Sequence, residues 1–446
     1  METLIVACVQ QKMRLPRSQE EHKDDLRRFL RSAATKRARL VIFPELAGLM
    51  VTPALLGGFH ASLLMRADQA RRRRVSFWQK ITGSLAGSLA RSVKADFRRL
   101  LGGLLESESG AVWTAYEETY GSLAKEFDLT IVAPSAYLPD PLDGVIRNIA
   151  VVYGPGGERL GYQAKGILHP EDEDLAQPGA EWNVIQTDVG RIGLMLGGDV
   201  LYPEIGRLLA YQGAEMLIAQ GAASERVLYE KLRSGMLARM QDNQLFGAIS
   251  FLIGQNDFSR RQRDPFAGKS AILAPQELTP NSSGVLVESA NFRSESVMAA
   301  VWDFPALANL WETSDTPVRS RLPMEKAGAA LAQLYQQMQQ LPRMADLPAL
   351  AAPASPPALS LDDLPVLASV TARWPLEPTQ SDMDGADDDD DLRDEGSRDF
   401  LHAAHNSADE AGVIPGGDDE TQEMDVLPEP GEDRPADSAA DPDKSE

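Results

Sequence analysis

Short runs of apolar and β-branched residues recur between residues 3 and 302, and stretches with helical spacing separate many of them. Runs of this length predict buried strands, and the stretches between them predict helices. Some neighbouring runs are joined by a tight turn, such as Gly154-Pro155-Gly156-Gly157, whereas others need a helical crossover. This mixture of hairpins and crossovers predicts an α+β fold built in layers rather than a doubly wound parallel sheet.

Local signals define the first elements. Thr3–Gln10 predicts a strand, and Ser18 with Glu21 forms a capping-box pattern that predicts a helix through about Ala34. The run Arg39–Glu45 ends at a proline and a carboxylate, which predicts that Glu45 lies at the carboxyl end of a buried strand. Further strands are predicted at Thr130–Tyr137, Ile146–Tyr153, Glu158–Lys165, Trp182–Thr187, Ile192–Leu196, Glu215–Ala219, Phe246–Gly254, Ser270–Ala274, Val285–Ser289 and Val297–Trp302. Further helices are predicted at Val112–Phe127, Tyr202–Gln212, Ser224–Asn243 and Met324–Leu341.

The acidity of the chain is concentrated at one end. The 446 residues carry a net charge of −22, but residues 346–446 alone hold 28 acidic and 5 basic residues, so residues 1–345 carry a net charge of +1. The acidic segment is rich in Pro and Ala at its start and contains the run Asp387–Asp391. We therefore predict a folded domain over residues 1–345 and a disordered acidic tail over residues 346–446. Because a nearly neutral body lacks the charge of a nucleic-acid binder, no nucleic-acid partner is expected.

Residues of about 52–110 interrupt the α/β rhythm and form a basic insertion. Residues 52–105 include ten basic residues and only two acidic residues, Asp68 and Asp96. The helical spacing of its apolar residues predicts a covering helix; these are Leu85, Leu89, Phe97, Leu101 and Leu105. Basic residues interleaved with Leu and Phe also suit an anionic membrane surface or an acidic partner, which leaves a membrane-surface or scaffold role open.

Targeting signals and metal sites are not indicated. Glu2 stands where a secretion signal would carry positive charge, so we expect a cytoplasmic protein. The single cysteine, Cys8, excludes a disulfide framework and a Cys-rich zinc site. No pair of histidines has metal-ligand spacing, and Gly268-Lys269-Ser270 lacks the first glycine of a phosphate loop. We therefore expect neither a metal nor another cofactor.

Four stretches carry a more specific pattern. They are VIFPEL (Val41–Leu46), GYQAKGILHPEDE (Gly161–Glu173), RIGLMLGGDVLYPEIGRLLAYQGAEMLI (Arg191–Ile218) and ARMQDNQLFGAISFLIGQND (Ala238–Asp257). In this order they resemble the nitrilase superfamily of carbon-nitrogen hydrolases, over about residues 3–305 without the insertion. The resemblance implies a four-layer α-β-β-α sandwich, a homo-oligomer such as a dimer, and a small amide, nitrile or acyl ligand.

The resemblance also implies roles for particular residues. Glu45 matches the general base, Lys165 matches the lysine that stabilises a tetrahedral intermediate, and Glu171 or Glu173 matches a second glutamate that some members carry. Such chemistry is reasonable, because a carboxylate can accept the nucleophile's proton while a buried ammonium stabilises oxyanion charge. Each residue alone would more often belong to an ordinary salt bridge. Residues implied to bind the ligand are Gly198, Asp199, Glu171 and Tyr202.

One position departs from the family pattern. Where the family has its nucleophilic cysteine, this chain has Gly197, and a glycine has no side chain that could attack a carbonyl carbon. Cys8 lies within the first predicted strand, where a cysteine is usually a small buried hydrophobe. The sequence thus favours a catalytically impaired protein that binds its ligand. It leaves open an atypical hydrolase in which Glu45 activates a water molecule beside Gly197.

Overall fold

Residues 2–56, 97–256, 264–338 and 340–345 are described by the structure, a computed structural model. All the elements named below belong to one of the two units of the chain, Met1–Leu341. The predicted acidic tail and residues 57–96 of the basic insertion, including Leu85 and Leu89, lie outside the described residues.

The long first strand, β1 (Thr3–Met13), organises the sheet. Its first part pairs with a parallel neighbour on one edge and an antiparallel neighbour on the other, and its last residues, Gln11–Met13, pair with a third strand. The other strands are β2 (Leu40–Ile42), β3 (Thr130–Val132), β4 (Ala136–Pro139), β5 (Ile146–Tyr153), β6 (Arg159–Ala164), β7 (Ile185–Thr187), β8 (Gly190–Leu196), β9 (Met216–Ala222), β10 (Phe246–Gly254), β11 (Ala271–Leu273), β12 (Val285–Glu288) and β13 (Ser296–Asp303).

Within the described residues these strands form one curled, mixed sheet. Its main path runs β4-β5-β3-β2-β1-β10-β9-β8-β7, with β6 added at β5, β13 at β1, and β11 and β12 at β10. Strands β2, β1, β10, β9 and β8 are parallel neighbours along this path, whereas β5–β6 and β7–β8 are antiparallel hairpins. Since the carboxyl ends of parallel strands lie at the same edge, the residues that follow β2 and β8 are brought together.

Helices cover the outer faces of the sheet. They are α1 (Gln19–Thr35), α2 (Phe97–Phe127), α3 (Pro203–Tyr211), α4 (Arg226–Asn243), α5 (Phe304–Thr313) and α6 (Met324–Gln337). Residues on β1 alternate between two cores, as the period of a strand requires: Ala7 and Val9 pack with α1 and α2, whereas Val6 and Cys8 pack with residues of β8–β10. A third core lies between α3, α4 and the other face of β8–β10.

Several element boundaries differ from the sequence predictions. Helix α2 joins the described part of the predicted covering helix, with Phe97, Leu101 and Leu105 buried, to the helix predicted from Val112, and it contains a non-helical residue at Glu108. The predicted strand Thr130–Tyr137 is divided into β3 and β4, and α5 was not predicted. No helix in the described residues combines the length and apolar character needed to cross a membrane.

Candidate functional site

Glu45 lies just beyond the carboxyl end of β2, as its sequence context predicted. The next residue, Leu46, has φ +61°, a left-handed conformation that costs a non-glycine residue about 1–2 kcal/mol. A buried hydrogen bond from the Leu46 N–H to Ser135 Oγ, 2.9 Å long, stabilises this turn. The strained turn directs the Glu45 carboxylate inward, where only 2% of the residue is exposed.

Lys165 follows the last residue of β6 and forms the centre of a buried charge cluster. Its Nζ donates to Glu45 Oε1 and to Asp172 Oδ2, both at 2.7 Å. All three residues are at most 3% exposed. Asn148 on β5 adds a hydrogen bond of 3.3 Å from Nδ2 to Glu45 Oε1. The structure thus brings together Glu45 and Lys165, which the motifs had singled out.

The second carboxylate at Lys165 is Asp172, which the sequence analysis did not select. Asp172 accepts hydrogen bonds from the Tyr137 hydroxyl at 2.6 Å and from the His169 N–H at 3.1 Å. The expected second glutamates are placed elsewhere: Glu171 forms an ion pair with Arg98, 3.7 Å long, and Glu173 is exposed. Three consecutive carboxylates carry no periodicity that could show which one points inward, so only the loop geometry identifies Asp172.

Gly197 opens the short 3₁₀ turn Gly197–Leu201 after β8 and faces the same cluster. Its φ is +49°, in the region that favours glycine. A Cβ built on Gly197 would lie 2.9 Å from Glu45 Oε1, from Glu45 Oε2 and from Lys165 Nζ. A side chain at position 197 would therefore require the ends of the Glu45 and Lys165 side chains to shift.

Burial and mutual attraction determine the protonation of the cluster. Burial raises the pKa of Glu45 above its ordinary value, and Lys165 offsets this only in part. For Lys165, burial opposes the ammonium, but Glu45 and Asp172 outweigh it and the pKa is raised. Burial also opposes the Asp172 carboxylate, yet Lys165 and Tyr137 keep its pKa below the ordinary value. Lys165 therefore stays charged, and Glu45 holds a proton more readily than Asp172 does.

Asp199 was expected to contact a ligand, but its carboxylate is bonded to backbone N–H groups and does not line the cavity described below. It is fully buried and accepts hydrogen bonds from the N–H groups of Leu196 (3.2 Å), Gly166 (3.1 Å) and Ile167 (2.8 Å). These bonds tie the end of β8 to the segment that follows Lys165. Because Asp199 is buried, its pKa is raised to about 6 even though these amides favour the charged form. Asp199 therefore acts on the site by holding Gly197 and Lys165 in register.

A cavity of about 180 Å³ opens beside the cluster. Glu45, Lys165 and Gly197 form one part of its lining, together with the expected ligand-binding residues Gly198, Glu171 and Tyr202. The apolar part of the lining comes from residues of several elements, namely Leu46, Ile167, Leu168, Leu201, Ala222, Leu228, Leu232 and Phe266. Arg98, at the start of α2, also reaches the cavity and had not been predicted as a site residue. The cavity thus combines a small polar region with an apolar wall, as small-molecule sites do.

Two hydrogen-bonding positions of the cluster remain unused by the described residues. Lys165 has three N–H donors and spends two of them on Glu45 and Asp172. Glu45 accepts both of its hydrogen bonds at Oε1, so Oε2 retains its acceptor capacity. Both atoms face Gly197. The site therefore offers one charged donor and one carboxylate acceptor, side by side, to a ligand.

Cys8, the one cysteine, lies away from this site. It is 0% exposed in the core between the two parts of the sheet, and burial raises the pKa of its thiol to about 12. A thiol in such surroundings is a poor nucleophile. Among the described residues, no group of three or more His, Cys, Asp or Glu side chains is arranged to hold a metal ion.

Comparison with known proteins identifies the family. A family model described as "Carbon-nitrogen hydrolase" matches residues 5–277, which is more than half of the chain. The chain belongs to the carbon-nitrogen hydrolase family, and the resemblance to the nitrilase superfamily found in its motifs is confirmed.

The relatives are hydrolases and amidases of low sequence identity. "Probable hydrolase YhcX" of Bacillus subtilis is 26% identical over 182 residues, which are 40% of this chain and 35% of that protein. "Omega-amidase NIT2-B" of Xenopus laevis is 23% identical over 213 residues, 45% of this chain and 71% of the relative. The chain thus aligns with only about a third of the Bacillus protein.

The fold is shared with a solved member of the family. The crystal structure of a carbon-nitrogen hydrolase from Helicobacter pylori G27 aligns with a TM-score of 0.51 at 18% identity, covering 74% of this chain and 98% of the other. The chain therefore has a nitrilase-type fold of mixed α and β content with a curled sheet.

Proposed function

We propose that the protein binds a small compound with a primary amide or a related nitrile or acyl group, and that it does not turn this ligand over through a covalent intermediate. The observation that carries the proposal is the pair of unused positions at the cluster. A primary amide has a carbonyl oxygen that can accept from the Lys165 ammonium and an NH₂ group that can donate to Glu45 Oε2. The apolar wall of the cavity suits a short hydrocarbon chain on the amide.

The position of Gly197 supports the absence of covalent turnover. We infer that Gly197 stands at the nucleophile position of the family, because it follows β8 and faces both Glu45 and Lys165. Glycine offers no atom that could form an acyl intermediate. Loss of the nucleophile usually removes most of the rate even when the rest of a catalytic site persists. We therefore infer that Glu45 and Lys165 bind the ligand but do not hydrolyse it through an acyl intermediate.

The layered packing supports a further part of the proposal, the four-layer α-β-β-α sandwich of the family. One core lies between α1, α2 and the sheet, a second between the two parts of the sheet, and a third between the sheet and α3, α4. This order places the cluster where the carboxyl ends of β2 and β8 meet.

Titration calorimetry with butanamide and N,N-dimethylbutanamide tests the binding proposal. The dimethyl compound keeps the carbonyl but has no N–H to donate to Glu45, so we expect the primary amide to bind about tenfold or more tightly. Glu45→Gln preserves the shape of the side chain and removes the charged acceptor, and should reduce this preference. Arg39→Gln is the matched control, because Arg39 is an exposed arginine that pairs with Asp188 and does not line the cavity. Equal affinity for the two compounds, or a preference that Glu45→Gln leaves unchanged, would contradict the proposal.

A second candidate is hydrolysis by a water molecule that Glu45 activates. The raised pKa of Glu45 favours it, because a general base works best when its pKa lies near the working pH. Such a reaction would release ammonia from amides, would stop in Glu45→Gln, and would continue after treatment with thiol reagents. Inhibition by a thiol reagent would count against it.

A further inference from the structure

Two arginines meet on the surface at the C-terminal end of α4. Arg207, on α3, donates from Nη2 to the carbonyl oxygen of Asp242 at 2.8 Å, and Arg319, between α5 and α6, donates from Nη1 to that of Asn243 at 2.5 Å. Since the two carbonyls belong to consecutive residues, the two guanidinium groups lie side by side. Both also line one small cavity.

The orientation of Arg319 is fixed by an aromatic ring. Its guanidinium carbon lies 4.0 Å from the centroid of the Trp311 ring. Trp311 is itself held by a hydrogen bond of 2.7 Å from Nε1 to the carbonyl oxygen of Gln244. A stacked and hydrogen-bonded guanidinium loses little further freedom when it binds a ligand.

The positive charge of the pair is not balanced by the described residues. Neither arginine forms an ion pair with a described carboxylate, and the nearby Asp242 carboxylate pairs with Arg239 at 2.9 Å. The carbonyls at the end of a helix carry only about half of a negative charge, so capping α4 leaves more than one positive charge in excess. Burial, and then the neighbouring Arg207, lower the pKa of Arg319, which agrees with two cations held close together.

The cavity between the arginines measures about 50 Å³ and is lined by Arg207, Ala210, Tyr211 and Arg319. This is well below the few hundred Å³ that a metabolite-sized ligand needs. Each guanidinium keeps N–H donors beyond the one given to a carbonyl, and its planar fork matches the oxygens of a carboxylate or a phosphate. We propose that Arg207, Arg319 and Tyr211 form a binding site for a single oxyanion group, such as inorganic phosphate or the carboxylate of a small acid. The site is separate from the cluster at Lys165 and does not depend on the function proposed for it.

Calorimetric titration of the full-length protein with sodium phosphate and with sodium acetate, at constant ionic strength set by chloride, tests this site. We expect saturable binding of at least one of the two anions at one site per chain. The anion that binds more tightly identifies the oxyanion that the site prefers. Arg207→Gln and Arg319→Gln should each weaken it by about tenfold or more. Arg319→Lys, which keeps the charge but loses the fork, should also weaken it.

Arg39→Gln serves as the control for a general change in charge, because Arg39 is an exposed arginine paired with Asp188. Thermal melts of each variant establish that it folds. Anion binding that is absent from the wild type, or equal in all variants, would overturn the proposal. Sedimentation velocity of the same samples tests the alternative that the two arginines lie in a contact between two copies of the chain. A dimer that dissociates in Arg319→Gln, with no anion binding by the wild type, would assign the arginines to that contact and overturn the anion site.

Discussion

Gly197 is the residue on which the proposed binding function depends. With φ +49° and an ion pair 2.9 Å from its missing Cβ, this position is adapted to glycine in both backbone and surroundings. The ends of the Glu45 and Lys165 side chains meet beside it as a buried ion pair. The sequence shows that residue 197 is a glycine, whereas only the structure shows that the ends of the Glu45 and Lys165 side chains lie 2.9 Å from the position of its Cβ.

The variant Gly197→Ala tests how strongly the site requires a glycine at this position. We expect a loss of about 2–4 kcal/mol in the free energy of unfolding, measured with urea, because a left-handed alanine is strained and its methyl group crowds the ion pair. Gly110→Ala is the control, since Gly110 lies in helix α2 with no atom within 4 Å of its Cβ position and should tolerate alanine. A loss of less than about 0.5 kcal/mol in Gly197→Ala would contradict this view of the site.

The predictability of the site differs from residue to residue. Glu45 and Lys165 could be found because each lies at the end of a predicted strand and belongs to a recognisable motif. Asp172 could not be identified from the sequence, because it stands between two other carboxylates, Glu171 and Glu173. Its inward direction comes from the loop that also brings the His169 N–H to it. Arg98 was missed for a different reason: its approach to the cavity depends on how α2 packs, and local sequence does not encode this.

Elements with strong periodicity and clear turns were predicted with the correct ends. Strands β5 and β10 were predicted with the bounds that the structure has. The first part of helix α2 belongs to the predicted covering helix, whose Phe97, Leu101 and Leu105 are buried. Its continuity with the helix predicted from Val112 was not foreseen, because Gly102, Gly103 and Gly110 weaken the helical signal between the two. Helix α5 did carry a signal that was overlooked, since Asp303 caps it and Pro305 lies in its first turn.

The junction between β8 and the segment after Lys165 depends on Asp199, and its pH dependence can be predicted. The pKa of Asp199 is about 6 in the folded protein and near 3.9 in an unfolded chain, so folding favours the protonated form. The stability that Asp199 contributes is therefore highest below about pH 4 and declines as the pH rises through about 6. We expect the difference in unfolding free energy between wild type and Asp199→Asn to fall by about 2–3 kcal/mol from pH 4 to pH 7.

Urea denaturation of both proteins at a series of pH values measures this difference. Asparagine has the size of aspartate and does not titrate, so the contributions of Lys165 and Asp172, common to both proteins, largely cancel. A difference that stays constant, or that grows with pH, would show that Asp199 is ionised at least as easily in the folded protein as in the unfolded chain.

The core between the two parts of the sheet extends through the domain, and Cys8 is a natural probe of it. Because Cys8 is fully buried and its pKa is about 12, native protein should react with a thiol reagent roughly a thousandfold more slowly than protein in concentrated guanidinium chloride. Mass spectrometry should then find one label per unfolded chain. Rapid labelling of the native protein would mean that the core opens locally and that Cys8 is a reactive thiol.

The family of the protein followed from its sequence, but its activity did not follow from the family. Motifs at the ends of β2, β6 and β8 predicted where the site would form, because parallel strands bring their carboxyl ends to one edge. We propose that its chemistry is limited by Gly197, which offers no nucleophilic side chain at that edge. Binding of a small amide is therefore our proposal, and catalysis has to be measured.

Ammonia release from a panel of short aliphatic amides, measured with purified wild type, Glu45→Gln and Lys165→Met, is the decisive experiment. If Gly197 has left the cluster without a nucleophile, the wild type should release no more ammonia than either variant or the buffer alone. Thermal melts with butanamide establish that the wild type preparation is folded and binds the amide. Ammonia release by the wild type that disappears in both Glu45→Gln and Lys165→Met would contradict a binding function and establish an amidase that works without the side chain of a nucleophile.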